Sequence, residues 1–313
     1  MVCSHNLAGM KFIRGDQFLM GSNSHYEEER PVRRVRVDDF WIDATPVTNG
    51  QFAQFVAATG YVTFAELAPN PADYPGILPG MARAGSLVFV PATIGTDLCE
   101  ESSWWPFIFG AYWKHPLGPG SDIDGLLNHP VVHVTPADAQ AYASWAGKAL
   151  PGEAEWEFAA RGGLSGKTYA WGDELNPRGV TMANIWQGDF PYFDTVSGVL
   201  KRTTPVRSYP ANGYGLYDMI GNVWEWTADG EDVVPLPESG CCAMRGTGQL
   251  PIGVANGADA QVQIPRRIAK GGSHLCAPNY CQRYRPSARW AQPIDTSTSH
   301  MGFRCIFRCA DAG

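Results

Sequence analysis

Asn212-Gly-Tyr-Gly-Leu-Tyr-Asp-Met-Ile-Gly-Asn-Val-Trp-Glu-Trp226 decides how this chain is read. It belongs to a texture that runs from Gly163 to the C-terminus. Short aromatic segments alternate there with Asn-Gly, Gly-Asp and Pro-rich turns, and helical periodicity nearly vanishes. Upstream the signals are more regular. Thr48-Asn-Gly-Gln51 is a capping-box pattern followed by Phe52, Phe55 and Val56 at helical spacing, which predicts a helix over 49–59 ended by Gly60. Thr135-Pro-Ala-Asp138 repeats that logic, with proline at the first position and an acid near the positive end, so a helix is expected over 139–146, closed by Gly147. A third is expected over 153–160, with Arg161-Gly-Gly163 as its stop.

Nearer the N-terminus, residues 12–21 read as two short strands around a Gly-Asp turn, and 32–42 as one half-buried strand with partial alternation. The stretch 68–124 is dense in Pro and Gly, carries the aromatic cluster Trp104-Trp105-Pro-Phe107, and is expected to form long ordered loops. Together these describe an α+β fold with little regular structure. No internal repeat or linker divides the chain, so a single domain over 1–313 is expected.

Composition agrees. Hydrophobic residues at 44% supply a core, while 35 glycines, 24 prolines and 12% aromatics favour turns pinned by large rings. The formal net charge of −7 argues against non-specific attraction to nucleic acid or anionic membrane. No window reaches the roughly 18 to 20 apolar residues of a membrane span, and the first residues lack a signal-peptide core. A cytoplasmic, monomeric protein is the expectation. The eight cysteines, Cys3, Cys99, Cys241, Cys242, Cys276, Cys281, Cys305 and Cys309, are then read mostly as reduced thiols.

The opening stretch, together with Leu150-Pro-Gly-Glu-Ala-Glu-Trp-Glu157 and Gly302-Phe-Arg-Cys305, resembles the sulfatase-modifying-factor family. The family's fold is a variant of the C-type lectin fold, and the resemblance extends over 15–305. A narrower match lies in Lys270-Gly-Gly-Ser-His-Leu-Cys276-Ala-Pro-Asn-Tyr-Cys281-Gln-Arg-Tyr-Arg285. It is similar to the active-site strip of the formylglycine-generating enzymes. So are Ala183-Asn-Ile-Trp-Gln-Gly-Asp-Phe-Pro191 and Asp295-Thr-Ser-Thr-Ser-His-Met-Gly-Phe-Arg304.

The resemblance implies an oxidase that uses dioxygen to convert a cysteine in a nascent or unfolded sulfatase, within Cys-x-Pro-x-Arg, to Cα-formylglycine. By motif position Cys276 and Cys281 would hold Cu(I), which soft thiolates select, leaving room for the client's thiolate as a third sulfur. The spacing by five alone fits packed hydrophobes or a disulfide equally. Ser273 and Tyr280 would line the pocket and Trp224 would wall it. Arg285 and Arg289 would orient substrate or anchor loops.

Calcium is the second implied ion, since a loop-rich fold can use a hard cation to gather carbonyls and carboxylates. The family's site maps onto Asp218, Gly221, Val223 and Glu225, the glycine and valine through their carbonyls. Another maps onto Asn184 and Ile185. Its remaining positions fall on Gly198 and Leu200, which lack a carboxylate, with Asp194 as a substitute.

Departures from the family also carry information. Ala143, Ala160 and Pro286 stand where secreted relatives have disulfide partners, leaving Cys305 without an obvious mate. Gly152 replaces the usual helix-capping threonine, and Ala277 a histidine of some relatives.

Two rival readings share the fold. One is a non-catalytic lectin-like binding or scaffold protein. The other is an iron-dependent small-thiol oxidase, for which His129-Pro-Val-Val-His133 and His115 are the histidines to check, although Pro130 argues against both rings on one helix face. The vicinal pair Cys241-Cys242 has several chemistries open to it, and Glu27-Glu-Glu29 reads as a solvated turn.

Overall fold

The computed structural model describes residues 7–74, 77–93, 95–96, 103–196, 202–230 and 264–309. The first half carries β1 (Met10–Ile13), β2 (Gln17–Met20), β3 (Arg33–Arg36), β4 (Phe40–Asp43), α1 (Asn49–Thr59), β5 (Gly85–Leu87) and β6 (Phe107–Phe109). The second carries α2 (Pro136–Trp145), α3 (Glu153–Arg161), β7 (Gly188–Asp189), β8 (Phe193–Asp194) and β9 (Trp224–Gly230). It ends with β10 (Arg266–Lys270), β11 (Arg289–Pro293), β12 (Met301–Gly302) and β13 (Ile306–Phe307). Among the described residues, short strands and three α-helices make the α+β class that the sequence led us to expect.

The helices start where their caps dictate. The Thr48 hydroxyl accepts the Gln51 N–H at 3.3 Å while the Gln51 side chain accepts the Thr48 N–H at 2.9 Å, and Gly60 closes α1 in the left-handed region at φ 67°. Thr135 and Asp138 repeat the exchange, so α2 begins at Pro136, three residues earlier than expected. At α3 the cap is supplied from afar. Gly152 has no side chain to offer, and the Asp229 carboxylate, from the end of β9, accepts the Glu153 N–H instead. Glu155 accepts the Gly152 N–H at 2.7 Å.

One strand reading needs correction. The two short strands expected around the Gly-Asp turn are β1 and β2, which pair with β4 and β3 respectively. Residues 32–42 are two strands, not one. Asp39 accepts the Gly15 N–H and the Asp16 carbonyl accepts the Val37 N–H, and this corner sends β3 to one sheet and β4 to another.

The principal sheet has the order β11-β10-β9-β12, with β12 parallel to β9; a second has the order β1-β4-β13. α3 packs across β9 and β10, and α2 reaches β9. Three apolar clusters result. The first gathers Phe52, Phe55, Trp113, Trp226 and Phe303 with Cys276 and Cys281; the second lies beneath α3 around Phe40, Trp156 and Ile306. The third is an aromatic group, Phe89, Trp104, Trp186 and Phe190, with Leu275 and Ala277. Residues 271–288 therefore run along the seam between the first and third. Among the described residues no helix is long and apolar enough to cross a membrane.

Candidate active site

The segment 271–288 links β10 to β11 and turns back on itself. Gly271 and Gly272 both have positive φ, and a Cβ on Gly272 would stand 2.9 Å from the Arg283 carbonyl and the Tyr284 Cα. Two backbones cross there, and only glycine fits. Two tight turns follow: the Cys276 N–H donates to Ser273 O at 3.0 Å, and the Tyr280 and Cys281 N–H groups both donate to Ala277 O. The Cys276 carbonyl accepts the Trp186 N–H at 2.9 Å, joining this loop to the 183–191 segment.

These turns bring the two sulfurs to 3.4 Å. A disulfide would measure about 2.05 Å. Cys276 and Cys281 are thus thiols in contact, both buried, as the motif reading required of a paired ligand set.

Beside Cys276 is a narrow cavity of about 30 Å³, walled by Ser273, Trp224, Tyr280, Trp104, Trp290 and His300 among others. That is room for a diatomic molecule or one or two waters. Tyr280 stacks on Phe190 with ring centroids 4.4 Å apart and meets Trp104 edge-on. The indole N–H groups of Trp104 and Trp224 are buried with no hydrogen-bond partner. All five expected site residues, Cys276, Cys281, Ser273, Tyr280 and Trp224, are therefore brought together. A wider, open cleft of about 500 Å³, walled by Arg14, Phe18, Phe158, Arg161 and Tyr214, shares no residue with this cavity.

The comparison with known proteins settles the family. The family model described as "Sulfatase-modifying factor enzyme 1-like domain" matches residues 2–309. The chain belongs to this family. The Mycobacterium tuberculosis protein named "Formylglycine-generating enzyme" is 49% identical over 297 residues, covering 94% of this chain and 96% of its own. The Bos taurus protein named "Inactive C-alpha-formylglycine-generating enzyme 2" is 36% identical over 296 residues, covering 94% of this chain and 86% of its own. Among solved structures, PvdO from Pseudomonas aeruginosa superposes with a TM-score of 0.53 at 22% identity, covering 95% of this chain and 93% of its own. That last likeness concerns the fold alone, which is the sulfatase-modifying-factor fold expected from the motifs.

Several features of this family member were not read correctly from its sequence. Glu27-Glu-Glu29 is not a solvated turn. Glu29 is buried in a bidentate pair with Arg285, and Glu28 pairs with Arg283, whose guanidinium lies 4.0 Å from the Tyr26 ring centre. Burial alone would raise the Glu29 carboxyl, but the hydrogen bonds and charge of Arg285 outweigh it and hold it below its ordinary value. Arg289 is likewise committed, to Glu153 at 2.9 and 3.0 Å. Fully buried Lys270 reaches Glu157 at 3.0 Å and Glu153 at 3.4 Å, so both ends of the cysteine loop are tied to carboxylates of α3. A run of glutamates at Glu27–Glu29 and the arginines of 283–289 are far apart in sequence, and no local signal couples them.

His300 and Trp105 are further members of the cavity wall that motif reading passed over. His300 lies in the 295–304 segment likened to the active-site strip, and Trp105 in the aromatic cluster 104–107. His129 and His133 do not converge. The former meets Thr203; the latter, with φ +61°, is fully buried between Ser86 Oγ and the Pro116 carbonyl. Burial lowers the His133 pKa to about 4. Cys305 is a buried thiol pushed well above its ordinary value by burial and by nearby Asp43. Ala143 and Ala160 are buried methyl groups packed into the first and second clusters. Cys3, Cys99, Cys241, Cys242, Gly198 and Leu200 lie outside the described residues.

The two calcium sets can be tested against their donors. Asn184 Oδ1 is buried without any hydrogen-bond partner, although its Nδ2 donates to Arg202 O and Asn222 Oδ1. A buried orphan oxygen is what a hard cation takes. Asp194, offered as a substitute, already accepts the Gln187 and Val196 N–H groups. In the other set, Asp218 is raised by burial, with the charge of Glu225 adding to the rise. Glu225 accepts two bonds from Arg304 and one from Trp156, which leaves one of about four lone pairs, on Oε1. Each set thus retains an acceptor that a cation could use, Asn184 Oδ1 in the first and one Glu225 lone pair in the second.

Proposed function

We propose that this chain is a copper- and dioxygen-dependent oxidase that converts the cysteine of a Cys-x-Pro-x-Arg segment in a sulfatase polypeptide to Cα-formylglycine. The single observation that carries this reading is the pair of buried thiols in contact beside a diatomic-sized cavity. The names of the near relatives support it. Cys276 and Cys281 would hold Cu(I), and as thiolates they match its softness. Bound there, the metal would supply the one-electron chemistry that dioxygen needs to react with an unactivated C–H bond.

The chain's own residues would do the rest. The 271–288 loop would fix both sulfurs, Trp224 and Tyr280 would narrow the cavity, and the unpartnered indole N–H groups of Trp104 and Trp224 would be donors for charge developing on oxygen. In balance, removal of two electrons and two protons across the client's Cβ–S bond gives a thioaldehyde. Water converts it to the aldehyde and hydrogen sulfide. The other two electrons that dioxygen accepts come from a thiol reductant. The client would bind extended near Cys276, recognised through its main chain and a few pockets.

Calcium would be structural, held by Asp218, Glu225 and the carbonyls of Gly221 and Val223, and by Asn184 and the carbonyl of Ile185. We place the protein in the cytoplasm, where Cys276, Cys281, Cys305 and Cys309 stay reduced. The relative named inactive speaks for the scaffold-protein reading, whereas the two thiols in contact and the more similar relative named as an enzyme favour the oxidase. The decisive experiment loads the chain with Cu(I), supplies a Cys-x-Pro-x-Arg peptide, thiol and oxygen, and looks by mass spectrometry for aldehyde. No product with copper, or equal product without it, would sink the reading.

A further inference from the structure

One side chain on the cavity wall has the position of its hydrogen dictated by a neighbour. Thr298 and His300 are both buried, and Thr298 Oγ1 lies 2.8 Å from His300 Nδ1. The same oxygen accepts the His300 backbone N–H at 3.5 Å. The hydroxyl has one hydrogen to place, and among the described residues His300 Nδ1 is the acceptor within reach. Were Nδ1 itself protonated, that hydroxyl hydrogen would be sealed in the interior without a partner. Thr298 therefore donates, Nδ1 accepts, and the neutral ring carries its hydrogen on Nε2.

The ring is also held in place. Its centroid is 4.8 Å from that of Trp105 and 5.9 Å from that of Trp290. It stays neutral because it is deeply buried and because His274 and His133 are close enough to oppose a positive charge. It shares the cavity wall with Cys276 and Ser273.

We propose that His300 is a catalytic residue that donates a hydrogen bond from Nε2–H to dioxygen in the cavity, an inference that rests on the oxidase reading above. Dioxygen is a poor acceptor until electrons reach it, so this bond strengthens as charge develops. A fixed donor in a narrow site walled by aromatic rings is most effective under those conditions. The proton remains on Nε2 throughout, and Thr298 is a positioning residue that fixes the tautomer.

The test uses the full chain loaded with Cu(I), saturating Cys-x-Pro-x-Arg peptide, a thiol reductant and varied oxygen. His300→Phe keeps an aromatic ring and removes the donor, and kcat/KM for oxygen is expected to fall by at least about tenfold with peptide KM unchanged. His300→Gln, which returns an N–H near the same place, should recover most of that loss. Cu(I) affinity, measured by competition with a chelator, should be the same in all three proteins. Long-range ¹H–¹⁵N spectra of the wild-type protein should show Nε2 as the protonated nitrogen, and Thr298→Val should redistribute the hydrogen. Unchanged oxygen dependence in His300→Phe, a hydrogen on Nδ1, or a parallel loss of Cu(I) affinity would each overturn the proposal; the last would mean that the ring serves a cysteine sulfur. If His300→Phe does not fold, His300→Leu, which also lacks the donor, takes its place and is expected to show the same loss. A wild-type enzyme that makes no aldehyde defeats the oxidase reading and this inference together, whereas an active wild type with an indifferent His300 defeats this inference alone.

Discussion

Glu29 and Arg285, 256 positions apart in the chain, meet as a buried bidentate ion pair in which Nη1 lies 2.7 Å from Oε2. Arg285 also donates to Gln282 O at 2.7 Å, so its guanidinium plane spans the N-terminal turn and the end of the cysteine loop. Tyr26 reinforces the same seam by accepting the Gln282 N–H. The residue before Gln282 is Cys281, so this contact sets the position of one sulfur.

Breaking that pair leaves a buried guanidinium uncompensated, and Glu29→Gln should cost about 3 kcal/mol in a denaturant titration. Because the loop end is released as well, Cu(I) affinity should drop with it. A loss under about 1 kcal/mol would mean that the turn can part from the loop at little cost.

Cys276→Ser and Cys281→Ser should each abolish aldehyde formation and Cu(I) binding while the metal-free protein still folds, at a cost of about 1 kcal/mol for the buried hydroxyl. Cys305→Ala is the contrast: a buried thiol, remote in role, whose loss should cost about 1 kcal/mol of stability and no turnover. Activity surviving in either serine variant would reject the two-sulfur assignment.

How much of this was legible beforehand depends on whether a feature is local. Thr48 with Gln51, and Thr135 with Asp138, announce their helices because a cap and its partner are three residues apart. The cysteine loop was legible through resemblance, since Cys276 and Cys281 alone fit several chemistries. What escaped is what folding assembles from afar: Asp229 capping α3, Glu29 under Arg285, and β3 and β4 parting at a corner fixed by Gly15 and Asp16. His300 escaped for another reason. Its role follows from a tautomer that only the Thr298 contact fixes.

Acid should unmask His133. Its folded-state pKa is about 4, below the ordinary 6.5, so the unfolded chain binds the extra proton between those values. Its contribution is complete above pH 6.5 and is lost as pH falls toward 4, amounting to about 3 kcal/mol. His133→Asn tolerates the positive φ and cannot titrate. The difference in unfolding free energy between wild type and variant should therefore shift against the wild type from pH 7 to pH 4.5, while the carboxylates common to both cancel. A pH-independent difference would show that the ring is already protonated or exposed.

The cap on α3 should be transferable. Asp229→Ala removes the acceptor of the Glu153 N–H and should cost about 1 kcal/mol. Adding Gly152→Ser should restore most of it, since residue 152 has φ −67° and ψ 157°, ordinary for a capping serine. If Asp229→Ala is silent in thermal denaturation, water caps this helix as well as the carboxylate does.

Calcium should bind through an oxygen that currently has nothing to accept. Asn184 Oδ1 is buried and unpartnered, while Asn184 Nδ2 and the Asn222 side chain hold its amide plane from behind. A cation bound only by the folded state raises stability by RT ln(1 + [Ca]/Kd), about 2.7 kcal/mol at a hundredfold excess over Kd. The wild-type thermal midpoint should therefore climb with millimolar calcium and fall on chelation. Asn184→Ala should keep whatever part of the climb belongs to Asp218 and Glu225 and lose the rest, because it deletes the orphan acceptor. Should the midpoint of the wild type ignore calcium altogether, both donor sets are stabilised by protein contacts alone, and the unsatisfied amide oxygen would have to be met by a buried water.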